Sequence, residues 1–395
     1  MSHAGPDALQ QRCQNIVTSP VLTPEQKRHF LALEAENNLP YPDLPQAARA
    51  ALDEGVICDM FEGHAPYKPR YVLPDYAKFL ANGSEWLELE GAKDLDDALS
   101  LLTILYHHVP SVTSMPVYLG QLDALLDPYV RILTQEEIDV RIKRFWRYLD
   151  RTLPDAFMHA NIGPADTPIT RAILRADAEM KQVAPNLTFI YDPDVTPDTL
   201  LLSVAKNICE CSKPHVSNGP VNDKIFTKGR YGVVSCYNSL PLAGGGSTLV
   251  RLNLKAIAER SHSPEDFFTR TLPHYCQQQI AIIDARCTFL YEKSGFFENS
   301  FLVKEELIDS DRFVPMFGMF GLAEAVNLLC EKGGIKGRYG KDEQANALGY
   351  RISEQLSAFV ENTPVKYGWK QRALLHAQSG ISSDSGTTPG ARLPY

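Results

Sequence analysis

The chain has 395 residues, of which 44% are hydrophobic, 22% charged and 9% aromatic. This excludes a disordered or collagen-like chain and provides enough apolar surface for one large α/β domain or two modest ones. A net charge of −9 leaves no strongly basic surface to hold nucleic acid.

No apolar run approaches the roughly 20 residues that span a bilayer. The N-terminus, MSHAGPDALQQRCQNIV, lacks the charged-then-apolar pattern of a secretory leader. A cytoplasmic chain without membrane contact is expected. The eight cysteines are scattered and none forms a C-x-x-C pair, so free thiols in a reducing compartment are expected.

In chain order, Thr23-Pro24-Glu25-Gln26 predicts a helix start, with an N-cap, a proline in the first turn and a glutamine at the third position. His107-His108 follow an apolar helical run; no carboxylate or histidine stands at a matching spacing, so no metal site is expected. Thr134 to Glu137 reads as a capping box, with Ile138, Ile142, Phe145 and Leu149 on one face behind it. Thr188 to Tyr191 reads as a short strand. Thr196-Pro197-Asp198 predicts a helix with Leu201, Val204, Ala205 and Ile208 inward and Cys209 continuing that stripe.

The segment SKPHVSNGPVND carries His215, Asn218, Asn222 and Asp223. It reads as a polar loop, either lining a pocket or forming a satisfied surface turn. Tyr231 to Tyr237 reads as a strand, followed by a polar turn, three glycines (Gly244 to Gly246) and a strand from Leu249 to Leu254. Consecutive glycines let backbone approach another chain segment or a ligand closely. Ser263-Pro264 predicts a long helix to about Tyr291, with Cys276, Ile280, Ile283 and Cys287 on a core face. Phe313 to Phe317 reads as a strand before a helix carrying Leu322, Ala325, Val326 and Leu329. The last stretch, SGISSDSGTTPGARLPY, reads as loop. Strands alternating with helices favour an α/β layout with a largely parallel sheet or barrel.

For chemistry, Cys236 stands out. It ends a strand-like run beside the glycine-rich segment, either as a thiol protruding into a cavity or as a small buried hydrophobe. A conventional cysteine nucleophile would need a histidine partner, for which His215 is the plausible candidate. The chain has no P-loop and no G-x-S-x-G elbow.

Together these segments resemble the glycyl radical enzymes, the superfamily of pyruvate formate-lyase and anaerobic ribonucleotide reductase. GQLDALLDPY, from Gly120 to Tyr129, resembles their G-R-x-D-Q-x-x-x-P-Y element, with Gln121 where arginine stands. KPHVSNGPV is similar to their pocket segment, and YGVVSCYNS to the segment ending in the finger-loop cysteine. STLVRLNLKAIAE and GMFGLAEAV resemble segments that follow it in anaerobic ribonucleotide reductase. SPVLTPEQKRHFLALEAENNLPYP and CDMFEGHAPYKPRYVLPDY resemble the YjjI-type group of the superfamily.

The resemblance implies a ten-stranded α/β barrel of two five-stranded halves surrounded by helices. It implies one barrel domain over residues 1–395, with a helical part to about residue 110. Cys236 would take the thiyl position. His215, Asn218, Asn238 and Ser239 would bind a small organic substrate. The glycyl radical would be installed by a separate S-adenosylmethionine and iron–sulfur activase, with no cofactor on this chain, and the protein would be a homodimer.

Departures narrow the chemistry. Ser235 precedes Cys236, so there is no cysteine pair for acyl transfer. Asn238 stands where the diol and choline lyases carry an acid, which removes their general base. No nucleotide-binding cone or four-cysteine zinc site accompanies the barrel segments. The glycyl motif R-V-x-G-[FY] does not occur, so a truncated chain, inactive alone, is expected. The alternative is a binding or regulatory protein that keeps the barrel without the radical chemistry.

Overall fold

Helix capping is the strongest local signal and the structure uses it. In this computed structural model, which describes residues 6–59, 63–110, 118–153, 158–235 and 238–378, Thr23 opens helix Pro24–Asn38 and Thr134 opens helix Gln135–Thr152. In both, the threonine oxygen accepts from the third-position N–H, and the Gln or Glu side chain returns to the cap backbone. Behind Thr134 the helix buries Ile138, Ile142, Phe145 and Leu149 as the spacing predicts, together with Trp146.

The strands are β1 (Ile57–Asp59), β2 (Tyr71–Leu73), β3 (Tyr118–Gln121), β4 (His159–Ile162), β5 (Asn186–Tyr191), β6 (His215–Asn218), β7 (Tyr231–Val234), β8 (Asn238–Pro241), β9 (Gly244–Asn253), β10 (Phe313–Phe320) and β11 (Leu374–Ala377). They form a mixed α/β fold: a parallel sheet in the order β3-β4-β5-β6, the antiparallel hairpin β7-β8, and a sheet in the order β1-β9-β10-β11 with β2 also on β9.

The chain divides into two compact units. One comprises residues 1–67, 247–296 and 315–395, the other 68–246 and 297–314. In the first, β1 runs antiparallel to Val250–Leu252 of β9, and β11 parallel to β10. Its core takes Val250 and Leu252 from β9, Leu254 from the helix Leu254–Glu259 that follows, and Cys276, Ile280, Ile283 and Cys287 from helix Leu272–Glu292. A π-helical turn, Phe267–Thr271, leads into that helix beside Pro273, which has no N–H for an ordinary turn. Arg286, fully buried there, donates to Thr248 Oγ1, Tyr41 Oη, Asp59 Oδ2 and the Gly63 carbonyl at 3.0–3.2 Å. The second unit holds the β3-β4-β5-β6 sheet and the β7-β8 hairpin.

Three expectations change. Helix Asp198–Cys211 buries Leu200, Val204 and Asn207; Ala205 and Ile208 are exposed, and so is Cys209, against the inward stripe expected of them. The helix is turned so that Asn207 Nδ2 donates to Asp177 Oδ2 at 3.0 Å and to the Lys213 carbonyl at 2.9 Å. Apolar spacing does not register a buried polar anchor.

The polar segment after Ser212 is not a loop: it supplies β6 and helix Gly219–Ile225. The polar turn expected after Tyr237 is instead β8, and Gly244 to Gly246 are the first residues of β9 rather than a segment before it. A Cβ on Gly245, whose φ is +150°, would lie 2.0 Å from the Tyr71 carbonyl oxygen, and one on Gly244 2.2 Å from that of Arg312. The close approach expected of the glycines is to neighbouring backbone. The terminal stretch from Ser379 to Tyr395, read as loop, lies outside the described residues. Among the described residues no helix is long and apolar enough to cross a membrane.

Candidate active site

Cys236 and Tyr237 lie outside the described residues, so the site is built from what flanks them. β7 and β8 pair with Val233 opposite Ser239 and Val234 opposite Asn238. Ser235 to Tyr237 therefore make the connection at the end of the hairpin, and Cys236 is its middle residue. Ser235 has the left-handed φ of +49°, a conformation uncommon for a residue with a side chain and one that tightens a turn.

Two buried side chains of β4 reach this hairpin. Asn161 donates through Nδ2 to the Val233 carbonyl at 2.9 Å and accepts the Val233 N–H on Oδ1 at 2.8 Å. His159 faces the Ser235 carbonyl with Nδ1 at 3.2 Å and Thr188 Oγ1 with Nε2 at 2.6 Å. A carbonyl only accepts, so Nδ1 carries the hydrogen and the threonine hydroxyl donates to Nε2. Burial pushes the His159 pKa down to about 3, although its bond to the Ser235 carbonyl works the other way. The ring is neutral at physiological pH.

Ser239 faces a second polar chain. Its hydroxyl donates to Asn222 Oδ1 at 2.9 Å, and Asn222 Nδ2 donates to Ser217 Oγ at 3.0 Å. Tyr231 also hydrogen-bonds Asn222, and burial, followed by the Asp223 charge, pushes its hydroxyl up to about 12. Asn238 is buried. Asn218 caps helix Gly219–Ile225 by accepting the Val221 N–H at 3.2 Å. His215 is on the exposed side of β6, with its pKa lowered by partial burial and by the Lys213 charge.

The structure thus brings Asn238 and Ser239 to the hairpin beside Cys236 in sequence. It gives Asn218 a capping bond and leaves His215 and Asn218 exposed. The histidine bonded to the residue before Cys236 is His159, which the sequence reading passed over. Its only sequence signal was His159 and Asn161 alternating in a short buried run. A cavity of about 160 Å³ lies at the base of the hairpin, lined by Tyr118, Gln121, Arg230, Tyr231 and neighbours. Among the described residues no three His, Cys, Asp or Glu side chains gather as a metal site.

A hairpin bonded by a neutral amide and a neutral imidazole, with the cysteine between its strands in sequence, meets a match at the family level. The family described as glycyl radical enzyme YjjI-like matches residues 22–395. The chain belongs to that family. It is 87% identical over 389 residues to the protein YjjI of Escherichia coli (strain K12), covering 98% of this chain and 75% of that one.

Two solved structures share the fold at low identity. An anaerobic ribonucleotide reductase from Thermotoga maritima, in complex with dATP and CTP, aligns with a TM-score of 0.62 and 14% identity over 90% of this chain. The chain spans 64% of the length of that reductase. A B12-independent glycerol dehydratase from Clostridium butyricum, in its glycerol-bound form, aligns with a TM-score of 0.60 and 12% identity, covering 95% of this chain and 70% of its own.

Proposed function

We propose that this chain carries the substrate-activating part of a glycyl radical enzyme, in which Cys236 is the hydrogen-transferring thiol acting on a small, uncharged, polar organic molecule. The observation that carries the reading is the hairpin: family membership is joined to a cysteine between β7 and β8 in the chain, with Asn161 bonding Val233 of β7 and His159 bonding the Ser235 carbonyl. A thiol suits the relay because its bond to hydrogen is weak enough to exchange reversibly with carbon-bound hydrogen. Asn238 and Ser239 are the substrate-binding residues in this reading, with His215 and Asn218 at the outer edge. The polar atoms described around the hairpin are amides, hydroxyls and a neutral imidazole, which suit hydroxyl or carbonyl groups better than a bare carboxylate.

The reading includes a ten-stranded barrel, a radical S-adenosylmethionine activase as partner and a homodimer, all supported by family membership alone. The motif R-V-x-G-[FY] does not occur among the 395 residues. In this proposal the stored radical belongs to a segment outside them, and the 395 residues alone do not turn over.

The test is electron-spin resonance. The chain is extended at its C-terminus with whatever part of Escherichia coli YjjI follows the aligned 389 residues, and exposed anaerobically to reductant, S-adenosylmethionine and an activase. A glycyl doublet is expected. Cys236→Ala is expected to keep the doublet while losing exchange of deuterium from solvent into uncharged polyols. Full exchange in the alanine variant, or no doublet with an activase shown to be competent, overturns the reading.

A further inference from the structure

We propose that His159 and Asn161 are positioning residues that act as a side-chain strand, clamping β7 and the Ser235 carbonyl, the last backbone before Cys236 in the chain. The inference rests on the reading of Cys236 as the reacting thiol. What it adds is which residues hold the backbone that leads into that cysteine, and how.

A two-stranded hairpin is barely stable by itself in water. Among the described residues β7 pairs with β8 and with no other strand. The edge of Val233 that Asn161 meets would otherwise leave a buried N–H and C=O unpaired. Asn161 satisfies both at 2.8 and 2.9 Å, as a neighbouring backbone would. His159 stands two residues earlier, on the same face of β4. It bonds the Ser235 carbonyl, two residues after Val233 and just past the end of β7, and Thr188 on β5 fixes its ring from behind. The spacing of two on both segments is the spacing of a sheet ladder, made here by side chains.

The clamp ends at the residue before Cys236, the one with the left-handed φ. Hydrogen transfer is steeply sensitive to positioning, because reacting atoms must sit within about 3–3.5 Å. The bonds are made by an amide and a neutral imidazole, so the clamp places no charge beside a radical intermediate and keeps its geometry across physiological pH.

The experiment uses the 395-residue chain and needs no radical. Cys236 alkylation by iodoacetamide is followed peptide by peptide, and amide exchange is read over residues 231–241. His159→Gln moves the donor to the Nε2 position and loses the Ser235 bond; His159→Asn keeps a donor near Nδ1. Asn161→Leu removes both bonds to Val233. Thr188→Val is a milder variant that removes only the hydroxyl behind the ring. Ile142→Ala, a cavity in the buried face of another helix, controls for general loss of stability.

The expected result is a rise of about tenfold in Cys236 alkylation for His159→Gln and Asn161→Leu over the Ile142→Ala control, the equilibrium equivalent of one lost hydrogen bond. Thr188→Val should give roughly threefold, and His159→Asn should fall back to the wild-type rate. Rates in His159→Gln, Asn161→Leu and Thr188→Val no higher than in the control overturn the clamp, as does a failure of His159→Asn to rescue. If Cys236 proves not to be the reacting thiol, these rates stand unchanged, so the two ideas fail separately.

Discussion

Asp123 shows how much one buried side chain can set. It lies in the helical turn after β3 and is fully buried. Its Oδ2 accepts the Gly163 N–H at 2.6 Å and the Thr170 hydroxyl at 2.8 Å, and its Oδ1 accepts the Ala124 N–H at 2.8 Å. Burial nevertheless outweighs these bonds and pushes its pKa up to about 6. The folded state therefore holds a proton that the unfolded chain has released between about pH 4 and 6, and this group's contribution to stability falls as pH rises through that window. Asp123→Asn is expected to flatten that part of the stability profile. It should also cost about 1–3 kcal/mol at low pH, because its amide nitrogen must face one of three donors. Urea unfolding at a series of pH values checks both; an unchanged slope between pH 4 and 6 would assign the titration elsewhere. Asp123 stood within the GQLDALLDPY segment and was legible as part of a motif. His159 belonged to no motif, and its role appears only when β4 is seen to face β7.

At the scale of elements, local signals and long-range ones separate cleanly. Helices with a threonine cap and a Gln or Glu three residues on were readable to within a residue, because the information lies inside four consecutive side chains. So was the core stripe of Cys276, Ile280, Ile283 and Cys287. Four-residue strands such as β4, β6 and β11 were not, because their stability comes from neighbours distant in sequence. The triple glycine illustrates the difference. The residues announced a close approach, but only the pairing of Tyr71–Leu73 with Gly244–Gly246 says to what. Gly245→Ala is expected to be among the most damaging small substitutions in the chain. It places a methyl group 2.0 Å from a carbonyl oxygen at a φ of +150°, so β2 must leave β9. A loss of more than about 3 kcal/mol is expected, with amide protection lost first at residues 71–73. Wild-type protection of those amides would show that the strand tolerates the group.

At the scale of the molecule, the chain crosses between its two units four times, and two of the crossings fall inside strands: after Gly246 in β9 and after Val314 in β10. β9 holds β2 through Gly244–Gly246 in one unit and β1 through Val250–Leu252 in the other. A linker can let one unit melt while its neighbour stays folded; an unbroken strand whose two ends each carry a partner cannot fray at one end without loosening the other. Equilibrium unfolding is therefore expected to be a single transition despite the length of the chain. The probes exist in the sequence: Trp146 is buried in the second unit and Trp369 belongs to the first. Leu356→Ala, a fully buried position in the core of the first unit, should cost about 2–5 kcal/mol. It should lower the denaturation midpoint read from Trp146, with Trp86 and Trp369 replaced by Phe, as much as the midpoint read from far-ultraviolet dichroism. A Trp146 midpoint that stays at the wild-type value while the dichroism midpoint falls would mean that the two units unfold independently, and that strand continuity transmits nothing between them.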